Sequence, residues 1–81
     1  MTSKADFHKM SLTGKVRKLY AEGLFIVSIR YYTYKINLYL MGGEYFEVFY
    51  SHKYDRIESI EPLDRSHSRM KFYTDQIRLD L

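Results

Sequence analysis

Any chemistry in this chain would have to come from three histidines, a carboxylate cluster, two serines, or a set of cations interleaved with aromatics. His8, His52 and His67 lack the H-x-x-x-H or H-x-x-E spacing that sets two metal ligands on one face, so each reads as a surface histidine. Glu58, Glu61 and Asp64 lie close together, but Arg56 and Arg65 flank them. A catalytic carboxyl pair needs one member desolvated to raise its pKa, and this polar segment offers no such environment. Ser11 and Ser51 have no G-x-S-x-G setting, and Gly42-Gly43 lacks the G-x-x-x-x-G-K-[ST] pattern that cradles phosphate. The residues therefore predict no catalytic group, no metal site and no cofactor. What remains is binding, through Arg30 and Lys35 interleaved with Tyr39, Tyr45 and Phe49.

The element that must position those side chains is the run from Leu24 to Tyr50, LFIVSIRYYTYKINLYLMGGEYFEVFY, where β-branched and aromatic residues alternate with polar ones around turn signals. It predicts an antiparallel meander. A turn around Tyr32 and Thr33 would place Phe25 opposite Leu40, Val27 opposite Leu38 and Ile29 opposite Ile36, three apolar pairs on one face. At Gly42-Gly43 a two-residue loop would set Leu38 against Glu47 and Ile36 against Phe49. A three-residue loop or a bulge would instead pair Leu40 with Phe46, Leu38 with Val48 and Ile36 with Tyr50. The second register is preferred because the first buries Glu47.

Upstream, Leu12, Val16, Leu19 and Tyr20 recur at helical spacing, with Ser11 as cap, Gly23 as terminator and Lys18 and Glu22 spaced to pair outside. Downstream, Ile57, Ile60 and Leu63 fit a short, bulged fourth strand that Pro62 ends or confines to an edge. Met70, Tyr73 and Ile77 predict a helix over about Ser66 to Gln76, capped by Asp64 or Ser66. Residues 1–10 are read as a flexible polar tail and residues 11–81 as one α+β domain: helix, three- to four-stranded meander, helix. Its expected core is Val16, Leu19, Tyr20, Phe25, Val27, Ile29, Ile36, Leu38, Leu40, Phe46, Val48, Tyr50, Ile60, Tyr73 and Ile77.

Eighty-one residues bury only about 60–65% of their unfolded surface, and the nine Tyr and five Phe are the side chains able to fill so small a core. The absence of cysteine excludes a disulfide framework and thiolate metal sites. Apolar runs such as Leu24 to Val27 are far short of the ~20 residues that span a bilayer, and the N-terminal residues lack the apolar centre of a secretory signal. A cytoplasmic protein without membrane contact is the expectation. Residues 1–41 carry seven Lys or Arg against two acids and residues 42–81 carry six against eight, an asymmetry suited to nucleic acid or to another copy of the chain.

The preferred register leaves a mixed second face that includes Ile26, Arg30, Lys35, Tyr39, Met41, Tyr45 and Phe49. Either one helix covers each face, and this is a second small core, or both helices share the aliphatic face and the mixed one stays open. If open, its aromatics, Met and Arg match an interface core, and a non-enzymatic protein-binding module that self-associates as a homodimer, or takes another protein, is the leading expectation. Single-stranded nucleic acid, RNA in particular, on the same face is the alternative.

The order G-L-F-I-V-S, K-I-N-L-Y-L, Y-F-E-V-F-Y, R-I-E-S-I-E-P-L and a closing I-x-L-x-L resembles a group of small uncharacterised bacterial proteins with a leading helix, a meander with an E-V-aromatic-Tyr strand and a C-terminal helix. The resemblance spans about Val16 to Leu81. It implies the architecture and transfers no activity and no site residues.

Overall fold

The computed structural model describes residues 4–64, 66 and 70–76. Along them run α1 (Lys4–Lys9), α2 (Leu12–Glu22), β1 (Leu24–Tyr31), β2 (Tyr34–Met41), β3 (Glu44–Ser51), β4 (Arg56–Pro62) and α3 (Met70–Gln76). The strands form one antiparallel sheet in the order β1-β2-β3-β4, so the α+β meander expected from the residue pattern is what the chain adopts. Among the described residues no helix is long and apolar enough to cross a membrane.

Helix α2 begins and ends where its caps require. Ser11 Oγ accepts the Gly14 N–H at 3.1 Å, and the Gly23 N–H donates to the Leu19 carbonyl at 2.7 Å. Glycine is needed at 23 for space: a Cβ there would lie 2.4 Å from the Leu19 carbonyl oxygen. Lys18 and Glu22 pair on the outer face as their spacing predicts. The first ten residues, read from sequence as a flexible tail, include α1, whose Phe7 ring is buried against Phe46 with centroids 4.9 Å apart. A single aromatic in KADFHK carries no periodicity, which is why the pattern gave no sign of it.

Two one-residue events decide which side chains share a face. In β1 a bulge sits between Phe25 and Val27, so Val27 opposes Leu38 and Ile29 opposes Ile36 as expected, but Leu24 faces Leu40 and Phe25 faces Tyr39. The expected Phe25–Leu40 pair is therefore not formed. At the β2–β3 turn the preferred register is also corrected: Leu38 opposes Glu47, Ile36 opposes Phe49 and Leu40 opposes Tyr45. Gly42 and Gly43 both hold positive φ, 60° and 78°, so they make the tight two-residue turn whose twist matches a right-handed sheet. A third loop residue would gain nothing, because α3 relieves the burial of Glu47: the Tyr73 hydroxyl donates to its Oε2 at 2.8 Å.

The turn yields a direct test. Gly43→Ala forces an L-residue into the left-handed region and is expected to cost about 1–2 kcal/mol in urea denaturation. Gly42→Asn, whose side chain tolerates that region and whose Cβ would meet nothing within 4 Å, is expected to stay within about 0.5 kcal/mol of the parent. Equal losses at both positions would contradict this turn.

In β4 the partners step from Ser59 to Ile57 across Phe49 and Tyr50, leaving Glu58 as the extra residue of a bulge and explaining the three-residue spacing of its apolar positions. Tyr34 donates to Glu58 Oε2 at 2.8 Å and ties β2 to that bulge. This hydrogen bond first, and the carboxylate's charge second, raise the Tyr34 hydroxyl above the ordinary phenol pKa.

Each face of the sheet has its own core. On one side, Phe7, Leu19, Phe46, Val48 and Ile60 are buried together under α1 and α2. On the other, Ile29, Ile36, Leu38, Met70 and Tyr73 are buried under α3. Tyr20 and Phe25, expected inside, are 49% and 50% exposed. Val16, Val27, Leu40 and Tyr50 are half-buried, whereas Phe7 joins the core unannounced and Met70, from the stripe that predicts α3, joins it beside Tyr73. Ile77 and the start of the expected C-terminal helix at residues 67–69 lie outside the described residues.

Candidate nucleic-acid interface

With α1 and α2 on one side and α3 on the other, and with the register just given, the expected mixed face does not exist as a unit. Antiparallel partners share a face, so Arg30, Lys35, Tyr39 and Met41 lie on the α2 side, while Tyr45 and Phe49 turn to the α3 side. Tyr45 and Phe49 pack there against the Ile36–Tyr73 cluster, Phe49 edge-on to Tyr34 at 5.7 Å, and the bulge residue Ile26 joins the same cluster. Tyr39 and Met41 both pack, half-buried, against the Phe7 cluster. Arg30, Lys35 and Tyr39 are thus brought together, and Ile26, Tyr45 and Phe49 are drawn into a core.

α2 and α3 are offset. α2 lies against β4 and β2, whereas α3 lies against β1 from the opposite side, so among the described residues the α2-facing surface of β1 and the adjoining part of β2 keeps Phe25, Arg30 and Lys35 exposed. Along this strip, β1 presents Phe25, Ser28 and Arg30, and β2 presents Tyr39, Asn37 and Lys35 beside them. The upper end is aromatic: Tyr39 stacks on Tyr20 of α2 at 5.4 Å, with a 29° interplanar angle, and meets Phe25 edge-on at 5.6 Å. Burial first, then the neighbouring Tyr20, raise the Tyr39 hydroxyl above the ordinary phenol pKa. The middle is neutral, closed by a 2.5 Å hydrogen bond from Ser28 Oγ to Asn37 Oδ1.

The lower end is basic. Arg30 and Lys35 are directly opposed across β1 and β2, both exposed. Among the described residues neither has a carboxylate partner. Like charges in direct cross-strand register are destabilising, by up to about 1 kcal/mol. They line an open depression of about 510 Å³ together with Ser28, Ile29 and His52. His52 is held there by its own N–H, which donates to the Thr33 carbonyl at 3.2 Å, and by the Tyr50 ring at 5.6 Å. No sequence signal points to His52 or Phe25 as members, because the β3–β4 loop and the β1 bulge bring them in. Tyr20 could have been suspected, since it sits beside Leu19 at the margin of the helical stripe.

The strip offers stacking surfaces and cations and no nucleophile–base pair. Among the described residues no group of three or more His, Cys, Asp or Glu is placed to hold a metal ion. Compared with known families, curated proteins and solved structures, the chain matches no family model, no curated protein and no solved structure.

Proposed function

We propose that this chain is a small non-enzymatic binding module that takes single-stranded nucleic acid along the α2-side strip of β1 and β2. The observation that carries this reading is the opposed Arg30–Lys35 pair, uncompensated by any carboxylate among the described residues and in line with Phe25 and Tyr39 on the same two strands, the latter stacked on Tyr20 of α2. Bases stack on aromatic faces irrespective of sequence, and cations hold the backbone. The register supports this over the self-associating module, because Ile26, Tyr45 and Phe49 are spent on the α3-side core.

Fluorescence anisotropy with labelled eight-nucleotide RNA and DNA tests it. Binding is expected at low salt, with log K falling against log salt at a slope of about −1.5 to −2, as two or three phosphate contacts on a single strand require. Tyr39→Ala is expected to remove about 1–3 kcal/mol of stacking, and Arg30→Glu to weaken binding at least about tenfold. Absence of binding at low salt, or binding indifferent to both substitutions, would remove the proposal. A second reading has its own support in Leu24 and Phe25, 63% and 50% exposed on the free-edge strand β1. Light scattering that shows a concentration-dependent dimer, abolished by Phe25→Lys, would favour self-association there instead.

A further inference from the structure

Resting on the nucleic-acid reading, we infer that the basic depression formed by Ser28, Arg30, Lys35 and His52 is a seat for a terminal phosphate, so the module grips a phosphorylated strand end rather than the interior of a polymer. The arrangement of charge along the strip carries this. A track for internal phosphodiesters spreads its cations along the path. Here the four-residue step from Tyr39 to Lys35 covers about 13 Å of strand. Its middle is the neutral Ser28–Asn37 hydrogen bond, and both permanent charges stand at one level at the far end.

The Arg30–Lys35 opposition is a local fault in a sheet, and such faults mark functional sites. A phosphodiester brings one negative charge, whereas a phosphomonoester carries about −1.5 to −2 at neutral pH, which matches two fixed cations. At about 510 Å³, the depression has room for a terminal phosphate with its sugar, leaving the next bases to reach toward Tyr39.

The test compares three otherwise identical eight-nucleotide strands, ending in 5′-phosphate, in 3′-phosphate, or in hydroxyls at both ends, by anisotropy at fixed salt. One phosphorylated strand is expected to bind about fivefold or more tighter than the hydroxyl-ended strand, the scale of one further unit charge beside a cation in water. Lys35→Gln is expected to erase that preference while its melting temperature stays level or rises, because the substitution relieves the opposed charges. A residue needed only for folding would lower it. Tyr39→Ala is expected to weaken all three strands alike and keep the preference. Equal binding of the three strands by the parent protein would overturn the end-gripping inference and leave the nucleic-acid reading intact. No binding of any strand would overturn both, and a preference that survives Lys35→Gln would place the phosphate elsewhere.

Discussion

Tyr73→Ala is expected to lower the stability of the fold by about 3–5 kcal/mol, a large part of the roughly 4–12 kcal/mol that a domain of this length holds. Tyr73 is fully buried and, with Met70, is one of the two side chains through which α3 joins the Ile29–Ile36–Leu38 cluster. Its hydroxyl also donates to the buried carboxylate of Glu47 on β3, 26 residues away. The two roles separate by substitution. Tyr73→Phe keeps the ring and removes the donor, so it is expected to cost about 1–3 kcal/mol in urea denaturation. Glu47→Leu alone removes this acceptor from the Tyr73 hydroxyl, with a loss of the same order. Combining Tyr73→Phe with Glu47→Leu replaces both polar partners by apolar groups and is expected to be less damaging than the sum of the two, by about 1 kcal/mol or more. Strict additivity would mean that the hydrogen bond is not what settles Glu47 inside.

Phe7→Ala is the second large effect, also about 3–5 kcal/mol, or some 12–40 °C in melting temperature for a domain of this length. The ring is 2% exposed and packs with Leu19, Phe46, Val48 and Ile60, while the Lys15 ammonium lies 5.9 Å from its centroid. α1 has only six residues, too few to hold a helix by propensity, so the seating of Phe7 is what makes those residues part of the domain. A loss below about 1 kcal/mol would mean that α1 contributes little and that the first ten residues behave as the tail their polarity suggests.

These two residues also show where the sequence stopped being informative. Tyr73 was legible as core from its helical spacing with Met70, but nothing local to either residue says that its hydroxyl waits for Glu47. Judged by neighbours alone, burying Glu47 is a penalty, and a longer turn at Gly42-Gly43 looks like the remedy. The penalty disappears only once α3 packs on the same face and supplies a donor. Phe7 was hidden for a different reason, since one aromatic among charged residues has no period to detect.

The candidate site was half legible. Cations interleaved with an aromatic mark Arg30, Lys35 and Tyr39 in the sequence, and the three share one face of β1 and β2. Their expected companions Tyr45 and Phe49 lie on the other side, because strand periodicity is two and a one-residue change of register moves every side chain of β3 to the opposite face, and Ile26 joins them there through the β1 bulge. The β1 bulge does the same to Phe25, taking it out of the aliphatic core and setting it beside Tyr39 and Tyr20.

By itself, then, the sequence determined the antiparallel meander and the order of its elements, the position of α2 between Ser11 and Gly23, and the bulge in the short segment before Pro62. Alternation, helical periodicity and capping are local properties that few residues suffice to express. Tertiary structure decided the number of strands, the register at the β1 bulge and across the β2–β3 turn, the burial of Glu47, the seating of Phe7, and the joining of His52 to Arg30 and Lys35 at one end of the strip. Each of those depends on contacts between residues far apart in the chain, whose free energies exceed the local preferences and cannot be summed before the layers meet.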